Sequence, residues 1–225
     1  MSSKLQLIIQ LIVLILFAIL IATGQVQLWV GIFLLGVVGS LFLGRIYCGW
    51  ICPINTVMKG VTWLKKSLGI KGQKTPQFLI RPFFRYLMLA LFIAAFVISM
   101  ITGRAIPALP ILFASGIALT FFFPEELWHR YLCPYGTILS LPAKYSKYNM
   151  VVNREKCSSC GICKKVCPAN AVQAYEKVYS IKKNNCLICL DCFIHCKEAA
   201  ISYRGVNPHG SDYYRQDYGK VNYHK

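Results

Sequence analysis

Acidic residues are scarce in this chain, and its charge is one-sided. The 225 residues carry 8 Asp+Glu against 25 Lys+Arg, and Glu125 and Glu126 are the only acids before residue 150. Charged side chains make up 15% and hydrophobic ones 56%, with a mean hydropathy of +0.50. These values exclude an ordinary soluble domain and a disordered chain. An even cysteine count is missing too: 11 cysteines leave at least one thiol unpaired. Disulfide scaffolds are usually shorter, so the thiols point to metal. No C-x-x-C-H motif is present, which removes covalent haem attachment. The net charge of +17 fits nucleic acid, anionic lipid or an acidic protein, so position along the chain has to decide.

Leu5 to Thr23 is a 19-residue apolar run broken only by Gln6, Gln10 and small residues at its end. As a helix it is roughly 28 Å long, close to the hydrocarbon thickness of a bilayer. It exceeds the apolar stretch of a signal peptide, and no small-x-small cleavage site follows it. Further spans are expected at 28–46, 86–102 and 106–123, the last with its apolar run starting at Leu109. The fold class expected is a mainly α membrane protein with four transmembrane helices. Lys59, Lys65, Lys66, Lys71, Lys74 and Arg81 crowd the loop after the second span, whereas the loop after the third has only Arg104. Excess positive charge marks cytoplasmic loops, so both termini and all the cysteines are expected on the cytoplasmic side of the cell membrane. Nucleic-acid binding is disfavoured, because the charge sits at the membrane interface and no recognition motif is visible.

Sliding the sequence by 81 positions lays Leu5 on Tyr86, Leu28 on Leu109, Cys52-Pro53 on Cys133-Pro134 and Thr56 on Thr137 without a gap. The first 148 residues therefore read as a duplicated helix pair, a parallel repeat. Gly36, Ser40 and Gly44, Ala90/Ala94 and Ala114/Ala118 recur at helical spacing and are expected to pack helix on helix. After Cys52-Pro53, Ile54, Val57, Met58, Val61 and Leu64 alternate helically with Lys59, Lys65 and Lys66, the pattern of an interfacial helix. Its copy from Tyr135 to Tyr145 is expected to break at Pro142.

Residues 149–203 carry the strongest signal. Cys157-x2-Cys160-x2-Cys163-x3-Cys167-Pro168 is followed by Cys186-x2-Cys189-x2-Cys192-x3-Cys196, the spacing of a bacterial two-cluster ferredoxin. One [4Fe-4S] cluster should take Cys157, Cys160, Cys163 and Cys196, the other Cys186, Cys189, Cys192 and Cys167, within a C-terminal α+β module. Lys197 replaces the usual proline after the last cysteine. Structural zinc needs pairs rather than such triplets and is disfavoured. Val166, Val172, Ile181, Ile188 and Ile201 are expected to shield the clusters. Cys48 and Cys52 lie four apart, and the repeat sets His129 on Cys48 and Cys133 on Cys52. Two such pairs facing across the pseudo-twofold would supply three sulfurs and an imidazole for a third cluster. Glu125 and Glu126 are candidate proton acceptors at the membrane edge; Pro124-Glu125-Glu126 also reads as the first turn of a helix. His195, His209 and His224 read as solvated, and residues 204–225 as a polar tail.

Four spans, Cys48-Gly49-Trp50-Ile51-Cys52-Pro53, Tyr131-Leu132-Cys133-Pro134-Tyr135-Gly136 and the two-cluster motifs resemble the NapH/NosR-type membrane polyferredoxins, the quinol dehydrogenase membrane family. The resemblance covers residues 1–203. It implies electron transfer between the quinone/quinol pool and a redox partner, such as an acidic ferredoxin or flavodoxin or a membrane reductase complex. Family members commonly carry two C-x3-C-P motifs; Cys48, Cys52 and Cys133 match that pattern, and His129 departs from it. Alternatives are an accessory reductase acting in maturation, a membrane anchor subunit, or reverse transfer from ferredoxin.

Overall fold

The computed structural model describes residues 3–70, 72–73, 75–102, 108–175 and 178–205. Lys71, Lys74, Arg104, the first two residues of the fourth expected span (106–107), His209, His224 and the expected tail beyond Gly205 lie outside them. Four long helices dominate the first part: α1 (Ser3–Ala22), α2 (Leu28–Leu43), α4 (Pro82–Thr102) and α5 (Ala108–Phe122), with α3 (Pro53–Ser67) and α6 (Pro134–Ala143) following the two Cys-Pro steps.

The 81-residue repeat reappears element by element. Each copy is a helix pair followed by a short π-helical stretch, Tyr47–Ile51 in one and Leu127–Leu132 in the other. Each π-helix ends on an extended cysteine, Cys52 at φ −67°, ψ 116° and Cys133 at φ −73°, ψ 112°. Extended backbone is what a residue before proline prefers, and proline suits the first helical position, so Cys-Pro restarts the chain as α3 and α6. Single π-turns are uncommon and gather at functional sites.

Three sequence expectations change. The second apolar run continues to Ile46, but α2 stops at Leu43 because Gly44 adopts φ +68°, a left-handed turn that side chains resist. Ala90, Ala94, Ala114 and Ala118 are exposed rather than packed between helices. Gly116 makes the close approach instead, against Ile54 and Trp128, while Gly36 accommodates the Tyr47 ring. Pro142 does not break α6, which runs on to Ala143 and buries Leu139 completely.

Among the described residues one helix, Lys4–Ala22, is by itself long and apolar enough to cross a membrane; Leu28–Leu43, Phe83–Ser99 and Leu109–Phe122 are apolar but shorter. Large apolar side chains on α1, α2, α4 and α5 face outward, Leu35 at 75% and Ile101 at 79% exposure among them. Apolar exposure this extensive marks a surface that is covered in use.

The C-terminal module follows from Tyr148. Strand β1 (Tyr148–Val152) pairs antiparallel with β4 (Ile201–Gly205), and β2 (Val172–Tyr175) with β3 (Val178–Ile181). Two one-turn helices, α7 (Ile162–Lys165) and α8 (Asp191–Ile194), follow the cysteine loops. Val172, Ile181, Ile188 and Ile201 are buried in its core as expected, and Val166 packs half-buried against them. Trp50, Ile9, Ile46 and Ile51 of the helical part join the same apolar cluster, so the module is seated directly on the first π-turn.

Candidate metal centres

Two cysteine loops build the module, and they superimpose at an offset of 29 residues. Positive φ recurs at Ser159 and Ile188, at Gly161 and Leu190, and at Asn170 and Ala199. Left-handed residues turn backbone N–H groups inward, where they can meet anionic sulfur. Thus the Ala171 amide donates to Cys167 Sγ at 3.2 Å and the Ala200 amide to Cys196 Sγ at 3.4 Å. The loss of proline at Lys197 leaves this geometry intact, since Asn170 and Ala199 share φ 46°.

Cys157, Cys160, Cys163 and Cys196 line one pocket. Cys167, Cys186, Cys189 and Cys192 line another. Among the described residues no three Cys, His, Asp or Glu side chains close on a single metal ion. A zinc ion would draw thiolates to about 2.3 Å from one point. Four thiols spread round a larger space suit a multi-atom soft centre, and amide N–H groups aimed at sulfur suit its charge.

The second set of thiols lies where the helical part meets the module. Cys48, Cys133 and His129 are buried, and Cys52 packs against the same cluster as Cys48 and Cys133. Burial pushes the Cys52 thiol far up, reinforced by Cys48 and Cys133, and pushes the Cys133 thiol up to about 12. Metal binding here would therefore release protons. Burial, followed by the charges of Arg45 and Lys59, brings His129 down to about 3. Its imidazole is neutral, the form that ligates metals.

Unpartnered atoms occur on the residues around these thiols. The buried side-chain atoms without a hydrogen-bond partner, among the described residues, are His129 Nε2, Arg45 Nε and both amide atoms of Asn55. Native interiors satisfy nearly all such atoms, so each orphan needs a reason. Asn55 follows Cys52 by three residues, and its backbone N–H donates to the Cys52 thiol. Its repeat equivalent Gly136 likewise donates its N–H to Cys133 Sγ at 3.3 Å.

Arg45, inside the expected second span 28–46, is only 2% exposed, and sequence alone suggests no role for it. Its guanidinium donates to the Asn184 and Asn185 carbonyls at 3.2 and 3.4 Å and to Cys48 Sγ at 3.7 Å. Lys59 pairs with Asp191 at 3.4 Å, whereas the contacts of Arg45 are two carbonyls and a sulfur, with no carboxylate among them. A buried cation is costly unless an anion lies near. The sulfur of Cys48 is the group in contact.

Other contacts that sequence reasoning missed hold the same junction. Gln6 and Gln10 interrupt an apolar helix because both side chains donate to the Gly49 carbonyl, at 3.0 and 2.8 Å. Trp50 Nε1 donates to the Ile188 carbonyl at 3.0 Å. Glu125 and Glu126 begin the helical turn after Pro124. Glu126 accepts from Asn170 Nδ2 at 2.8 Å and Arg130 donates to the Asn170 carbonyl at 3.1 Å, a clasp on the end of the first cysteine loop. Glu125 is buried, accepts from Thr62, and burial raises its pKa above the ordinary carboxylate value. His195 caps its own turn, with Nδ1 2.8 Å from the Asp191 carbonyl oxygen.

A helical part joined to a module with two four-cysteine loops defines a ferredoxin-type iron–sulfur protein. A family profile described as a 4Fe-4S binding domain matches residues 25–71, 84–106 and 105–150, more than half of the chain, and a second of the same description matches residues 150–173. The chain belongs to the first of these families, that of the NapH-like ferredoxin-type proteins. The first and last of its three matched segments are offset by about 80 residues, in line with the repeat. An uncharacterised protein of Methanocaldococcus jannaschii is 29% identical over 177 residues, 76% of this chain and 68% of the relative. The putative electron transport protein YccM of Escherichia coli is 24% identical over 73% of this chain and 52% of its own. Ferredoxin-type protein NapH of Haemophilus influenzae is 27% identical over 71% and 62%. The chain thus spans between about half and two thirds of the length of these curated relatives.

Proposed function

We propose that this chain is a multi-pass membrane protein holding three iron–sulfur clusters. Bound there, the clusters supply one-electron chemistry, and the chain relays electrons between the quinone/quinol pool and a redox partner. Cys157, Cys160, Cys163 and Cys196 hold the first, and Cys186, Cys189, Cys192 and Cys167 the second. Cys48, Cys52, Cys133 and His129 hold the third. The observation that carries the third set is a buried, unpartnered His129 Nε2 in the same buried layer as the thiols of Cys48 and Cys133, with Cys52 packed against them and Arg45 in contact with Cys48 Sγ.

The residues divide the remaining work. Outward apolar faces of α1, α2, α4 and α5 bury the helical part in lipid, and the lysine-rich loop keeps the thiol end cytoplasmic. Arg45, Trp50 and Gly49 fix the third thiol set against the loop Cys186–Cys189. Apolar Ile188, Ile181 and Ile201 exclude water from the module's centres. Glu125, buried and disposed to hold a proton, accepts one at the membrane edge, while Glu126 holds the module in place.

Iron and sulfide analysis tests the count. Purified protein is expected to hold about twelve iron atoms per chain, and Cys133→Ala about eight with both ferredoxin signals intact by electron paramagnetic resonance. Wild-type iron near eight would remove the third centre. Clusters that stay oxidised when the protein is mixed with menaquinol or ubiquinol analogues would remove the quinol step.

A further inference from the structure

Exposure of the thiols is graded across the molecule. Cys48 and Cys133 are buried at the junction, as are Cys186, Cys189 and Cys192; Cys157, Cys163 and Cys196 are half-buried, and Cys160 is open to solvent. A broad cleft opens beside Cys160, between α3 and the module. Lys66 projects into it from α3, and Lys164 and Lys165 from α7, all three exposed. Trp63, 71% exposed, stands on the same wall.

The cleft's acids are already engaged. Asp191 pairs with Lys59 at 3.4 Å, Glu126 is bonded to Asn170, and Glu125 is buried against Thr62. The lysines that remain face outward without carboxylate partners among the described residues. An aromatic anchor ringed by unpaired cations is the arrangement that binds and steers an acidic protein.

We infer that this cleft is the docking surface for an acidic one-electron carrier protein, which meets the chain at Cys160. The inference rests on the relay reading for its electrons: one passes between the Cys160 end and the carrier, and one side is oxidised as the other is reduced. An anionic lipid headgroup would share the charge preference, but Lys164 and Lys165 directly follow Cys163 on the one-turn helix α7, beside Cys160 and within the module rather than on a long apolar helix.

The probe is purified flavodoxin, an acidic flavin carrier, mixed with the full chain in nanodiscs of neutral phosphatidylcholine. Lys164→Glu combined with Lys165→Glu should weaken flavodoxin binding at low salt about tenfold or more and flatten the salt dependence of the exchange rate. Trp63→Ala should weaken binding without changing the salt slope. Dithionite should still reduce the clusters of every variant, with unchanged paramagnetic spectra; missing spectra in wild type would instead refute the relay reading. Unaltered flavodoxin affinity in the charge-reversed variant overturns the docking surface. So does a variant whose sole defect is weaker binding to phosphatidylglycerol vesicles, since that assigns the lysines to lipid.

Discussion

Gly49→Ala is expected to unseat the module from the helical part. A Cβ on Gly49 would overlap the Leu187 carbonyl oxygen and stand 3.1 Å from both the carbonyl carbon and the oxygen of Ile188. These are backbone atoms in a loop whose conformation is set by a left-handed Ile188, so no side chain can swing aside. On the other side the Gly49 carbonyl is pinned by Gln6 and Gln10. Relief must come from moving the whole contact, which loosens the Trp50 to Ile188 bond as well. Destabilisation of about 3 kcal/mol, at the upper end for overpacking, is expected. Thermal unfolding in detergent and protease cleavage between α6 and β1 both read it. A melting temperature and cleavage rate like those of wild type would show that the seat is softer than its geometry.

Arg45→Met should have the second large effect. It keeps much of the side chain's bulk but removes the donors to Asn184 and Asn185 and the positive charge 3.7 Å from Cys48 Sγ. A cation beside a centre that gains negative charge on reduction favours the reduced form, so its removal should lower the potential of the third centre. The shift is on the order of 100 mV for one charge a few ångströms away in a partly shielded interior. The two carbonyls lose their donor at a further cost of about 1–3 kcal/mol in stability. Arg45→Lys should recover much of the potential and less of the stability, because a point charge replaces a forked donor. A redox titration followed by electron paramagnetic resonance separates the two terms. Identical midpoint potentials in wild type and Arg45→Met would remove Arg45 from the electrostatics of the site.

Much of this architecture was legible in the spacing of the residues. The 81-residue register placed both Cys-Pro steps, and the structure reproduces it down to the backbone angles of Cys52 and Cys133. The cysteine spacing in the module divides the eight thiols into the same two groups that line its two pockets. Hydropathy failed where an apolar run outlasted its helix: Gly44 turns the chain while Ile46 is still apolar. Small residues at helical spacing misled at Ala90 and Ala114, because such spacing reports a stripe without saying whether anything faces it. Gln6 and Gln10 were the overlooked signal. Two amides one turn apart in a membrane-length apolar helix require partners, and the partner is the carbonyl of Gly49. Arg45 was hidden by its position, since a cation at a span's end reads as topology until a buried carbonyl pair is seen beneath it.

Arg45 and Glu126 occupy equivalent positions in the two copies, 81 residues apart. Arg45 holds the second cysteine loop through Asn184 and Asn185, and Glu126 holds the first through Asn170. Opposite charges on one repeated scaffold thus grip the two halves of a module that is itself twofold. Held at two separated points, the module has no pivot left about which to swing. Clamped in this way it is a fixed terminal of the bundle rather than a tethered shuttle, so in the proposed relay any travelling over distance would fall to the partners.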